Sequence, residues 1–173
     1  IRVGLTMKQA RQAYDKFGDR LVEVINDNPY LLTVIDGMTW DQVDSIGEME
    51  WPGKQRIDHD DPKRYMAAVR EVLRLGYTND GHMALHYGEA IVAARELARP
   101  TLEGFERKVN ERVHNPDEGL VLVGVPSENG KMLYLEPYYK IELRTAIELL
   151  GKLDEPSKPI GEWEKIVAKT SDY

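Results

Sequence analysis

The stretch Gly4-Leu5-Thr6-Met7-Lys8-Gln9-Ala10 returns 33 residues later as Gly37-Met38-Thr39-Trp40-Asp41-Gln42-Val43. Both copies read glycine, long apolar residue, threonine, two variable positions, glutamine, then a small or branched apolar residue. Thr-x-x-Gln is the pattern of a capping box: the threonine hydroxyl accepts from the amide three residues on, and the glutamine reaches back to the threonine's own amide. Such a cap contributes about 1 kcal/mol. The glycine ahead of it permits the positive backbone angle that a tight turn into the helix needs. Each copy therefore predicts a sharp turn feeding a helix. Ankyrin arrays share this 33-residue period, but no third copy follows near residue 70, so the pattern predicts a closed pair and not a solenoid.

Between the copies, Ala10, Tyr14 and Phe17 form a helical stripe that stops at Gly18. Asp19 is the expected cap of a second helix carrying Leu21, Val22 and Ile25. Asn28-Pro29 opens a short helical turn with Leu31 and Leu32, and Val34-Ile35 leads into Gly37. Gly47, Pro52, Gly53 and the run Asp58-His59-Asp60-Asp61 mark a linker, placed at 51–60. Asp61-Pro62 then starts a helix, with Asp as cap and Pro at its first position. Tyr65, Met66, Val69, Val72 and Leu73 follow at helical spacing up to an expected end at Gly76. Two more helices are predicted, one from about His82 to Leu97 and one opening at Pro100-Thr101 with Leu102, Phe105, Val109 and Val113.

The texture then changes to β. Leu120–Val125 and Met132–Leu135 flank Ser127-Glu128-Asn129-Gly130-Lys131, and Asn-Gly in such a loop marks a β-hairpin. Three helices followed by a hairpin is the order of a winged helix. Residues 138–152 predict one more helix, Asp154–Pro159 a loop, and the surroundings of Trp163 a short C-terminal helix. The expected fold is mainly α: a paired turn-helix domain at 1–50, the linker 51–60, and a helical, winged-helix-like part with one β-hairpin at 61–152. Residues 153–173 are expected to form a C-terminal linker and short helix.

Composition narrows the function classes. Hydrophobic residues make up 42% and charged residues 31%, too apolar for a disordered chain. The absence of cysteine excludes disulfides and thiolate metal sites. No run approaches the length that spans a bilayer and no secretory signal is present, which gives the expectation of a cytoplasmic protein without a membrane partner. The chain opens at Ile1 within already patterned sequence, Val3 and Leu5 included, so an upstream start is expected. A net charge of −7 argues against gripping nucleic acid over the whole surface. Local phosphate contacts remain open, since backbone amides bind phosphate without a basic surface.

Two glycine-turn-to-helix units about thirty residues apart resemble a tandem helix-hairpin-helix domain. The wider order is more specific. Ala13-Tyr14 with Phe17-Gly18, then Asn28-Pro29-Tyr30-Leu31-Leu32, then Ile35–Gly37, resembles the N-terminal extension of the long RecD-like helicases. The likeness continues through Asp61-Pro62-Lys63-Arg64, Ala67-Ala68-Val69 and Gly81-His82, and through Tyr134-Leu135 and Tyr138–Glu142. It covers roughly residues 3–152. It implies a non-catalytic DNA-binding, strand-guiding module of a helicase that unwinds DNA 5′ to 3′, in repair or recombination, like the α subunit of exodeoxyribonuclease V. The motor domain, with its ATP and magnesium, would lie outside this chain, with residues 153–173 leading to it, and no cofactor is needed here. Implied partners are single-stranded or forked DNA and the chain's own C-terminal motor domains.

The same resemblance implies phosphate contacts at the two turns, through Gly4, Leu5, Thr6 and Lys8 and through Gly37, Met38 and Thr39. Phosphate-gripping hairpins usually read Gly-x-Gly, and here Thr6 and Thr39 stand at the second glycine. Asp36 and Asp41 flank the second turn, which makes the first, with Lys8, the better DNA candidate. Lys54, Arg56, Lys63 and Arg64, continued by Arg70 and Arg74, form the densest basic region and a candidate phosphate track. The competing reading is a protein-interaction scaffold that docks the motor or a partner without touching DNA.

Other motifs carry less. Gly124–Lys131 imitates a phosphate loop but has five residues between its glycines where the motif has four, and Met132 replaces the magnesium-binding hydroxyl. His82, His86 and Glu89 would share one helix face, yet Met83 stands where a zinc-protease motif has glutamate. The acids Asp58–Asp61 are contiguous, whereas nuclease carboxylates converge from separate elements, so a solvated run is expected. Trp40 is expected to pack the paired hairpins together.

Overall fold

The computed structural model describes residues 4–125 and 130–154. Both capping boxes form. Helix α1 (Met7–Phe17) starts from Thr6, whose hydroxyl accepts from the Gln9 amide at 3.2 Å while the Gln9 side-chain oxygen accepts from the Thr6 amide at 2.9 Å. After the short α2 (Leu21–Asp27), helix α3 (Trp40–Glu48) repeats the arrangement with Thr39 and Gln42 at 3.3 and 3.2 Å. Gly4 and Gly37 hold nearly the same positive φ, 71° and 77°. α1 stops at Gly18, as its stripe predicts.

Asp19 does not cap α2. Gly18–Arg20 winds as a 3-10 turn straight into the helix, and Arg20 at the cap position already has helical angles. A side-chain cap needs extended backbone there. Asp19 instead accepts from the Tyr14 hydroxyl at 3.2 Å. Asn28-Pro29 opens a 3-10 helix, Pro29–Val34, that delivers the chain to the second turn.

Helix α4 (Pro62–Asp80) begins as expected, the Asp61 carboxylate accepting from the Lys63 amide at 2.7 Å. It runs four residues past Gly76. The glycine that adopts left-handed backbone is Gly81 (φ 74°), and its amide bonds the Tyr77 carbonyl at 3.1 Å, an αL-type end. Gly76 is buried in the helix interior, against the Leu85 side chain.

Where a helix was predicted from His82, the chain first forms strand β1 (Ala84–His86), and only then α5 (Tyr87–Ala98). Helix α6 (Phe105–Asn110) likewise starts four residues after Thr101, because the Thr101 and Leu102 amides are bound to the Asp60 carboxylate at 3.0 and 3.1 Å. Strands β2 (Leu120–Val125) and β3 (Gly130–Leu135) make the predicted hairpin, with Val125 opposite Gly130. β1 pairs antiparallel with the far edge of β3, placing Leu85 opposite Leu133, so the sheet order is β1-β3-β2. A helix, an edge strand, two helices and a hairpin make α4 to β3 winged-helix-like. The last helix, α7 (Glu136–Asp154), covers the expected 138–152.

Among the described residues the fold is thus mainly helical, with seven α-helices and one small antiparallel sheet. One buried cluster runs from Ala13, Leu32 and Val43 through Met66 and Val69 to Ala94, Val109 and Leu133. Residues up to Tyr139 make one compact unit, and those from Lys140 a second, described as the remainder of α7. Ser127–Asn129 of the predicted hairpin loop, and the expected loop and helix after Asp154, lie outside the described residues. No helix among the described residues is long and apolar enough to cross a membrane.

Candidate nucleic-acid interface

The two turns are side by side because one side chain joins them. Gln9, buried although polar, donates from Nε2 to the Gly37 carbonyl at 2.9 Å and to Gln42 Oε1 at 3.3 Å. The box glutamine of the first copy thus completes its own cap and holds the turn of the second. Thr6 and Thr39 satisfy the amides of Gln9 and Gln42. The amides of Met7 and Lys8 in α1, and of Trp40 and Asp41 in α3, start each helix ahead of its ladder, at the positive end of its dipole.

The side chains around these amides differ. At the first turn Gly4, Thr6, Met7, Lys8 and Arg11 are exposed, and Leu5 packs half-buried against the core. At the second, Gly37 and Thr39 are exposed but Met38 and Trp40 are buried, and the exposed charges are Asp36 and Asp41. Met38 can therefore meet a ligand only through its backbone. Trp40 stacks on Tyr30, ring centroids 5.6 Å apart, with the Arg64 guanidinium over its ring at 5.7 Å, so it packs the second hairpin onto α4.

Most of the downstream basic residues are engaged internally. Arg64 is buried and grips Asp44 through both carboxylate oxygens, at 2.7 and 2.8 Å, while also reaching the carbonyls of His59 and Ala98. Tyr30 donates its hydroxyl to the same Asp44 at 2.7 Å. Burial alone would push the Asp44 carboxyl up, but the hydrogen bonds from Arg64 and Tyr30 outweigh it and hold the carboxyl below its ordinary value. Lys54 is buried with its ammonium among the carbonyls of Gly47, Met49 and Gln55, and desolvation lowers its pKa. Lys63 binds Asp27 at 2.7 Å, Arg70 binds Glu118 at 2.6 Å, and Arg74 binds Glu71 at 2.6 Å. In the strip read as a phosphate track, Lys63, Arg64 and Arg70 are paired to Asp27, Asp44 and Glu118 of other elements, and Arg74 to Glu71 within α4. Of the four basic residues expected at the interface from this region, Arg56 alone is fully exposed.

The acidic run is also not simply solvated. Asp60 is buried and accepts from the Tyr65 hydroxyl, from the Thr101 amide and hydroxyl and from the Leu102 amide. These donors override the opposing effect of burial and keep its carboxyl well below the usual range. Neither role is legible in the sequence, since Arg64 lies 20 residues from Asp44 and Thr101 lies 41 from Asp60. The Gln9 bridge had one legible trace, the repeated glutamine itself.

The other motifs resolve by geometry. His86 lies in β1 and His82 precedes it, so the shared helix face with Glu89 does not exist. Gly124–Lys131 joins two strands, whereas a phosphate loop must enter a helix. Among the described residues no three His, Asp or Glu side chains converge on a metal position.

The fold and its paired turns define a class, a tandem helix-hairpin-helix domain continued by a winged-helix-like part. Residues 1–84 match the family described as the ATP-dependent RecD2 DNA helicase HHH domain, and this stretch of the chain is such a domain. The match spans α1 to α4 and ends in β1. No curated protein matches the chain.

Proposed function

We propose that the chain is a non-catalytic DNA-contacting module of an ATP-dependent helicase, holding the backbone of single-stranded or forked DNA at its first hairpin. The observation that carries this reading is the first turn of α1: a Thr6-capped helix start with exposed Lys8 and Arg11 beside it, within the residues that match the RecD2 domain. A phosphate there accepts from first-turn amides and meets both the helix dipole and the lysine charge. The second hairpin has the same backbone but faces outward with Asp36 and Asp41, so its part is to support the first through Gln9. In this reading ATP, magnesium and 5′-to-3′ movement belong to a motor in the same polypeptide, which the module feeds.

The test is a titration of labelled single-stranded, duplex and forked DNA at about 50 and about 200 mM salt. Contact with one or two phosphates predicts micromolar binding whose log K falls with log salt by about 0.7 per phosphate on single strands. Lys8→Glu should weaken it several-fold, and Asp41→Lys should strengthen it. Absence of binding to all three DNAs at the lower salt would overturn the proposal in favour of a protein scaffold.

A further inference from the structure

The second turn and the 3-10 helix before it border a groove of about 480 Å³ shared with α4, the turn before β2 and the start of α7. One wall is Leu31 and Val34, which a 3-10 helix places on the same edge because residues three apart eclipse. They are 40% and 51% exposed, unusual for two adjacent large aliphatic side chains. Leu135 and Tyr138 line it as well, and Tyr138 is fixed in place by stacking on Tyr77, centroids 4.1 Å apart. Inside the groove Arg70 is neutralised by Glu118 and Arg74 by Glu71. Two further charges line it, Asp36 and Asp117, and among the described residues neither carboxylate takes part in an ion pair.

We propose that this groove docks a basic peptide segment of a partner protein, an apolar side chain seated between Leu31, Val34 and Tyr138 and flanking lysines or arginines at Asp36 and Asp117. Charge decides among the occupants. A DNA strand entering here would bring phosphates onto two uncompensated carboxylates, and a neutral apolar segment would leave both unpaired at the edge of the contact. A segment carrying cations on either side of an apolar anchor answers every feature, with the apolar anchor supplying affinity and the rim charges supplying selection and on-rate. The two hairpins then divide the work, the first facing nucleic acid and the second facing protein.

The probe is a fluorescein-labelled peptide of alternating leucine and lysine, compared with its glutamate-for-lysine analogue by anisotropy on the intact chain, with amide shifts mapped by NMR. The lysine peptide should bind and the analogue should not, with shifts confined to residues 31–37, 117–119 and 138. Asp36→Lys with Asp117→Lys should lower affinity about tenfold or more, and Val34→Ser should lower it several-fold at unchanged thermal stability. The control is an equal charge reversal on exposed α6 and the turn before it, Glu103→Lys with Glu106→Lys. An equal loss from that control would reduce the binding to bulk charge and overturn the proposal. Shifts centred elsewhere, or a single-stranded oligonucleotide moving the same amides more strongly than the peptide, would overturn it too.

Discussion

Helices α1 and α3 begin from the same capping box, yet α1 buries Gln9 and Ala13 while α3 buries Trp40, Val43, Ile46 and Gly47. Beneath α3 lie the stacked Tyr30 ring and the Asp44–Arg64 pair. Position 47 shows the contrast sharply. A Cβ on Gly47 would sit 2.8 Å from the Tyr30 hydroxyl, whereas its counterpart 33 residues earlier is Tyr14, 56% exposed. The repeat thus encodes one local geometry twice, and the environment assigns two roles. The second hairpin is a foundation, and the first is a ledge carried on it. A cap specifies where a helix starts and says nothing of what the helix rests on.

The sharpest way to break this contrast is to remove the foundation. Asp44→Ala leaves Arg64 buried without its counter-charge and should cost about 3–5 kcal/mol in urea unfolding. Asp15→Ala in α1, whose partner Arg11 is exposed at 4.0 Å, should stay within about 0.5 kcal/mol. Equal costs would mean that the two hairpins are equally anchored. Gly47→Ala should cost about 1–3 kcal/mol by overpacking against Tyr30, and Tyr14→Ala far less.

Acid should act on the foundation as well. Asp44 and Asp60 are both held below their unfolded value of about 3.9. A depressed carboxyl contributes stability that is present above the unfolded pKa and lost as pH falls towards the folded one. Melting temperature should therefore hold from neutral pH down to about 5 and drop below about 4. Asp60→Asn should start lower and respond less to acid, and an unchanged acid response would remove Asp60 from the account.

The smallest effects separate the cap from the bridge. Thr6→Ala and Thr39→Ala should each cost about 1 kcal/mol. Gln9→Glu keeps an oxygen for the Thr6 amide but lacks the donor to Gly37, so it should loosen the pairing while sparing the cap. Hydrogen exchange should then rise across α1 and stay low across α3. A rise confined to residues 6–9 would show that Gln9 does no more than cap.

The sequence was most legible where the determinants are local. The two Thr-x-x-Gln boxes, the Asp61-Pro62 helix start and the β-hairpin around Asn129-Gly130 each depend on residues within a few positions of one another. What failed to show was set by distant partners. Helical spacing through His82 and His86 could not reveal that β3 would recruit Ala84–His86 as an edge strand. The lysines and arginines of α4 looked like a surface strip because their acids, Asp44, Asp27 and Glu118, lie in other elements. Of the first hairpin's expected site, Lys8 sits where its position in the box places it. Met38 of the second is buried because the tight turn after the 3-10 helix, with Gly37 at φ 77°, carries it inward, its amide bonded to the Ile35 carbonyl at 3.0 Å.

Helix α4 has a consequence for anyone who would cut the chain. Its first turns hold α3 through Arg64 and the α5–α6 connection through the carbonyl of Ala98, and Tyr65 reaches back to Asp60. Severing the polypeptide between residues 51 and 60 would not release two folded pieces, because either fragment would keep half of a buried charge cluster. A protease working under native conditions should find helices α1 to α6 resistant as a whole or lost as a whole. The hairpins and the wing are, in that sense, inherited together.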